Sequence, residues 1–166
     1  SYFVSNSGLK GAAIFAYENV NVYNSTFISN NITSDKDGAA IYIERGNDVN
    51  ISYSSFKNNK ALDVNNAITI SSVSGKTVIN DNAFYNNDGF DVYNKGISEI
   101  NADSNWWGSN DNPNLNINVS NWVILTATST PDFNNTTLNV NFNKLRTSDN
   151  ETIDYNSSIP DREVRK

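Results

Sequence analysis

Alternation of apolar and polar positions in very short runs organises this chain. Ala12, Ile14 and Ala16 face one way and Phe15 and Tyr17 the other, the two-residue period of a strand. Val20-Asn21-Val22 repeats the alternation after a turn, and Ser25-Thr26-Phe27 opens a third run that ends at Asn30-Asn31. Three short strands in fewer than 30 residues leave no room for a crossover helix. They predict one triangular turn of a right-handed parallel β-helix.

The pattern then returns. Gly11-Ala12-Ala13-Ile14 reappears 27 residues on as Gly38-Ala39-Ala40-Ile41, and after another 27 as Asn66-Ala67-Ile68. In that third copy Asn66 replaces the Gly-Ala step, which leaves its corner geometry open. A second phrase, aromatic-x-x-Asn, runs in step from Phe3, Phe27, Phe56, Phe84 and Trp107, with spacings of 24, 29, 28 and 23. A fixed period of this size marks a solenoid, whose coils bury a core only by stacking. Stacking predicts one internal column of Ile14, Ile41, Ile68 and Val92, and another of Phe27, Phe56 and Phe84. Asn6, Asn30, Asn59, Asn87 and Asn110 are expected at the corners. Asn tolerates left-handed backbone, and its amide can bond from coil to coil.

From Asn105 the phrase changes to Asn105-Trp106-Trp107-Gly108, followed by Pro113. Exposed solenoid ends invite aggregation, so the paired indoles read as core or cap, with a sugar-stacking platform as the sharper alternative. Asn121 to Thr126 is a further strand along the closing edge, and Thr126 to Pro131 a linker. Leu138-Asn139-Val140-Asn141-Phe142 alternates cleanly, like the opening strands of an immunoglobulin-like sandwich. The expected division is β-helix coils over 1–110, cap and linker strand over 111–130, and the start of a truncated immunoglobulin-like domain over 131–166.

Composition narrows the function. The net charge of −6 disfavours nucleic acid and anionic membranes as partners. Without His or Cys, a Ser-His-Asp triad, a Cys-His pair, disulfides and ordinary zinc sites are excluded. No run of about 18 apolar residues is present to span a membrane. The start at Ser1-Tyr2-Phe3-Val4, without Met, reads as a piece cut from a longer protein.

Together these residues resemble the adhesin-like proteins of methanogenic archaea. The likeness rests on Gly-Ala-Ala-Ile at 11–14 and 38–41, the Phe-x-x-Asn corners, Asn105-Trp106-Trp107-Gly108 with Pro113, and Trp122-Val123-Ile124-Leu125-Thr126 leading to Pro131. It covers nearly the whole chain, and the Trp-Trp-Gly junction is its more specific part. It implies a secreted parallel β-helix module of an anchored surface protein that attaches to a glycan or protein on another cell. It brings no catalytic motif.

Two other functions compete with attachment. A polysaccharide-degrading β-helix enzyme, lyase or hydrolase, requires paired carboxylates on one face. Asp63, Asp88 and Asp91 are the nearest candidates but fall at different coil phases, and Arg45 is the only Arg within the coils. A calcium-dependent carbohydrate-binding module could draw oxygen ligands from Asp35-Lys36-Asp37-Gly38 or Asn110-Asp111-Asn112. Neither completes a calcium loop, so turn chemistry is the plainer reading and no cofactor is expected, with structural calcium only the less favoured alternative. The binding candidates are Phe15, Tyr42, Thr69 and Tyr93, which alternation turns outward from the first strand column. They either stabilise the sheet by stacking or form an exposed strip for a sugar ring or a partner's edge. Asn24, Asn31, Asn50, Asn118, Asn134, Asn135, Asn150 and Asn156 begin glycosylation sequons.

Overall fold

A computed structural model of the chain describes residues 1–33, 38–61, 66–132 and 137–153. Those residues contain no helix. The coils form a parallel β-helix with four sheets rather than three; the first three coils contribute a strand to each sheet and the fourth to three of them. The first sheet stacks β1 (Tyr2–Val4), β5 (Thr26–Ile28), β9 (Ser55–Lys57) and β13 (Ala83–Tyr85). The second stacks the two-residue strands β2 (Ser7–Gly8), β6 (Asn31–Ile32) and β10 (Lys60–Ala61). The third holds β3 (Ile14–Ala16), β7 (Ile41–Ile43), β11 (Asn66–Ile70) and β14 (Phe90–Asn94). The fourth holds β4 (Val20–Tyr23), β8 (Val49–Ser52), β12 (Thr77–Asn80) and β15 (Ile100–Asn101). The triangular turn read from the sequence therefore becomes four-sided. The added side is too short to show alternation.

The expected internal columns are present. Ile14 pairs in register with Ile41, Ile41 with Ile68 and Ile68 with Val92. The rings of Phe3, Phe27, Phe56, Phe84 and Trp107 follow one another at centroid distances of 4.8, 4.7, 5.0 and 4.7 Å. Those distances match the spacing of neighbouring strands, about 4.8 Å, so the backbone ladder imposes the stacking. Burial of each large apolar side chain contributes about 1.5–3 kcal/mol, and each ring pair about 0.5–1.5 kcal/mol more.

Asn30 and Asn59 are fully buried, with Asn87 nearly so. The left-handed corner residue is the one before each: Ser5, Ser29, Asn58 and Asn86 have φ of 55, 55, 55 and 48°. The sequence reading placed that strain on the Asn itself, one residue too late. The turn swings the following amide inward. Asn6 Nδ2 donates to Asn30 Oδ1 (2.8 Å), Asn30 Nδ2 to Asn59 Oδ1 (2.9 Å) and Asn59 Nδ2 to Asn87 Oδ1 (3.0 Å). Asn87 Nδ2 then donates to the buried carboxylate of Asp91 (2.9 Å). Asn110 is not the next rung. Gly108 takes the positive φ (82°) one residue early, and the Asn110 amide instead accepts from Leu125 N–H (2.7 Å) and donates to its carbonyl (2.9 Å).

A second ladder lines the corner before the first sheet. Asn24, Tyr53, Asp81 and Ser104 carry the positive φ there, and the residues after them bond from coil to coil. Ser25 N–H donates to Ser54 Oγ (3.2 Å), Ser54 N–H to Asn82 Oδ1 (2.9 Å) and Asn82 N–H to Asn105 Oδ1 (2.9 Å). Buried corner amides thus find partners inside the solenoid, as buried polar groups must. Asn66 behaves differently: it is buried, starts a strand that still pairs in register, and its amide has no hydrogen-bond partner among the described residues.

At the far end, half-buried Leu115, Ile117, Val119 and Trp122 pack against the solenoid core, while Asn114, Asn116, Asn118 and Ser120 stay exposed. Asn116 fixes this segment by accepting Asn94 N–H (3.1 Å) and donating to Asn94 O (2.8 Å). Strand β16 (Val123–Asp132) then pairs antiparallel with β17 (Thr137–Thr147), which pairs with β18 (Thr152–Ile153). Thr126 to Pro131, read as a linker, lies inside β16. Its Thr- and Ser-rich composition conceals the pairing with residues 138–144 of β17.

Candidate functional site

Phe15, Tyr42, Thr69 and Tyr93 occupy one register column of the third sheet, as alternation requires. They do not form a continuous exposed strip. Phe15 is 43% exposed and Tyr93 half-buried, but Tyr42 is 4% exposed and Thr69 fully buried. Lys10 explains the cover over Tyr42. Its ammonium lies 4.8 Å from the Tyr42 ring centroid and pairs with Glu44 at 2.6 Å. That hydrogen bond to Glu44 raises the Lys10 pKa above its ordinary value. Gly38 closes in from another side: a β-carbon there would lie 2.9 Å from Tyr42 Cβ. Phe15 stays open because β3 is the terminal strand of its sheet.

The other sequence candidates are engaged in structure. Trp106 and Trp107 are both buried, and Trp107 ends the ring column instead of offering a face for stacking. Asp88 is half-buried with its carboxylate 3.9 Å from Lys60 Nζ, and Asp91 accepts from Asn87. Asn110 bridges to Leu125, and Asp111 N–H bonds to Ser109 Oγ (3.3 Å), which is turn chemistry. Among the described residues no group of three His, Cys, Asp or Glu gathers in one place. Asp35, Lys36, Asp37 and Asp63 lie outside the described residues. So do the sequon residues Asn134, Asn135 and Asn156, whereas Asn24, Asn31, Asn50, Asn118 and Asn150 are exposed.

The feature that sequence reasoning missed lies on the outer face of the fourth sheet. Inward residues Val20, Val49, Thr77 and Ile100 set the alternation, so Asn21, Asn50, Val78 and Asn101 stand in register on the opposite face. The corner before these strands raises Asp48 and Lys76 on one side. The corner after them raises Tyr53 and Asp81 on the other, making a trough with a hollow of about 720 Å³. Lys76 is shared with a second hollow of about 880 Å³, lined by Asn101, Glu99, Asp103 and Asn118, which carries the trough towards the end of the solenoid.

The trough is held rigidly. Asn19 Oδ1 accepts the N–H groups of Asn47 (3.2 Å) and Asp48 (3.0 Å), and Asp48 Oδ1 accepts Lys76 N–H (2.9 Å). Tyr53 is packed edge-on against Tyr23 at 5.4 Å between centroids. Its φ of 52° is unusual for a bulky residue and costs about 1–2 kcal/mol. Asn24, Asp81 and Ser104 fill the same corner on other coils with side chains better suited to it. The Asp81 charge, followed by burial and Tyr23, raises the Tyr53 pKa.

Compared with protein-family models, with curated proteins and with solved structures, the chain finds no match. The functional reading therefore rests on the site itself.

Proposed function

We propose that this chain is a non-catalytic, adhesin-like attachment module, displayed at the cell surface and binding a glycan or protein of another cell. The observation that carries the reading is the rigid, outward trough of the fourth sheet, lined by amides and a tyrosine held at a strained corner. Its neighbouring carboxylates serve structure: Asp48 accepts Lys76 N–H, and Asp103 accepts the N–H groups of Ser120 and Asn121. A surface that binds without turning over needs fixed hydrogen-bonding groups and no poised acid–base pair. Residues 111–122 act in this reading as the cap of the solenoid. Strands β16 to β18 are then the opening of an immunoglobulin-like domain. Exposed sequons at Asn24, Asn31 and Asn150, outside the trough, suit an extracellular chain.

Attachment is tested by exposing fluorescently labelled chain to whole cells and to immobilised glycans and surface proteins. Saturable attachment is expected. Incubation with pectin, alginate and uronate-rich glycans, with and without calcium, should release no oligosaccharide. Turnover lost in Asp88→Asn or Asp91→Asn would replace this reading with that of a β-helix enzyme.

A further inference from the structure

The trough is periodic in one direction only, along the solenoid axis. Asn21, Asn50, Val78 and Asn101 lie on four successive strands, about 4.8 Å apart at each step. That step is close to the length of one pyranose residue in an extended, β-linked chain. Each amide offers a donor and an acceptor together, as a sugar hydroxyl does, so a row of amides complements a row of hydroxyls. Carboxylates on both banks, Asp48 and Asp81, accept strongly from hydroxyl groups. Val78 supplies an apolar floor where the C–H face of a ring can rest, and Tyr53 an aromatic edge beside it.

Charge selects among sugars. Around the two hollows the described lining residues include Asp48, Asp81, Glu99 and Asp103 against the single cation Lys76. A uronate or sulfated chain would meet like charge at almost every step. We propose that the trough binds one neutral, β-linked oligosaccharide laid along the solenoid axis, with one sugar residue per coil. The inference rests on the attachment reading and names its ligand and its contact face.

The test uses the whole 166-residue chain made in bacteria, isotopically labelled and unglycosylated. Cellohexaose, β-1,4-mannohexaose and hexagalacturonate are titrated in turn while amide shifts are followed by NMR. At least one neutral hexasaccharide should move the signals of Asn21, Asn50, Tyr53, Val78 and Asn101 together, and hexagalacturonate should bind more weakly. Asn50→Ala should weaken that binding about five- to tenfold, the loss of a hydrogen bond or two. Tyr53→Asn, which suits the corner, should weaken it without lowering the melting temperature. Phe15→Ser, outside the trough, should leave it unchanged. No binding by either neutral sugar, shifts that map elsewhere, or tighter binding of hexagalacturonate each overturn the inference. If cells are bound but the trough takes no neutral sugar, the inference falls and attachment stands. If the trough takes the sugar but cells are not bound, attachment falls and the site assignment stands.

Discussion

Asn30 and Asn59, one coil apart, are joined twice through a single oxygen: Asn59 Oδ1 accepts both the side-chain amide of Asn30 (2.9 Å) and its backbone N–H (3.1 Å). Asn59 in turn donates to Phe27 O (3.1 Å) and Asn87 Oδ1 (3.0 Å). Removing its amide strands Asn30 N–H, the Asn30 side-chain amide and Phe27 O on the preceding coil and takes one of two donors from Asn87 on the next, each buried orphan costing about 1–3 kcal/mol. Asn59→Ala should therefore lower stability by about 3–5 kcal/mol in urea titration. A loss below about 1 kcal/mol would show that the ladder contributes little.

Ser29 and Asn30 are adjacent but respond oppositely to glycine. Ser29 holds the left-handed φ of 55°, which glycine adopts freely, so Ser29→Gly should change stability by no more than about 1 kcal/mol. Asn30→Gly removes a buried rung and should cost several times as much. Equal effects would refute the assignment of turn and rung to separate residues.

Phe56 sits between Phe27 and Phe84 with no exposed surface. Phe56→Ala should cost about 3–5 kcal/mol, the range for deleting a core aromatic. An unchanged melting temperature is the outcome that would remove the ring column from the core.

Gly38 accounts for the glycine of the repeated Gly-Ala-Ala-Ile phrase. Its φ is 75°, and a β-carbon would fall 2.5 Å from Ile41 O. Gly38→Ala should destabilise by about 2 kcal/mol or more, combining left-handed strain with a backbone clash. Wild-type stability in that variant would mean the corner relaxes at little cost.

Tyr53 links the trough to pH. Its folded pKa is raised from 10.0, so the native state keeps the proton at pH values where the unfolded chain releases it. The associated stability is fully present below about pH 10 and declines as pH rises through the raised value. Lys10, raised by its hydrogen bond to Glu44, has the same sign. Ultraviolet titration should show a late tyrosinate step that is absent in Tyr53→Phe and shifted downward in Asp81→Asn. If Asp81→Asn leaves that step in place, the Asp81 charge is not its cause.

Coil stacking was legible because like residues recur at like phases: an Ile over an Ile and a Phe over a Phe need no knowledge of the turns between them. The fourth strand was not legible, since Ser7-Gly8, Asn31-Ile32 and Lys60-Ala61 share no side-chain character. Nor was the second ladder, where Ser25 and Ser54 give way to Asn82 and Asn105. Burial of Tyr42 depends on Lys10 and Glu44, 34 residues apart and brought together by the coil. The trough escaped notice because its banks are corner residues of different types, and corners read from sequence only as turns.

The ladders also have a mechanical consequence. Their bonds, like those of the parallel sheets, run between coils, so tension applied along the axis loads one coil boundary at a time. The module should yield by peeling, each released coil of 23 to 29 residues adding about 75–105 Å of slack. Force spectroscopy would see a staircase of such steps at modest force. On the proposed attachment reading, a tether built this way lengthens under load before its grip is tested, and rewinds from whichever coils remain.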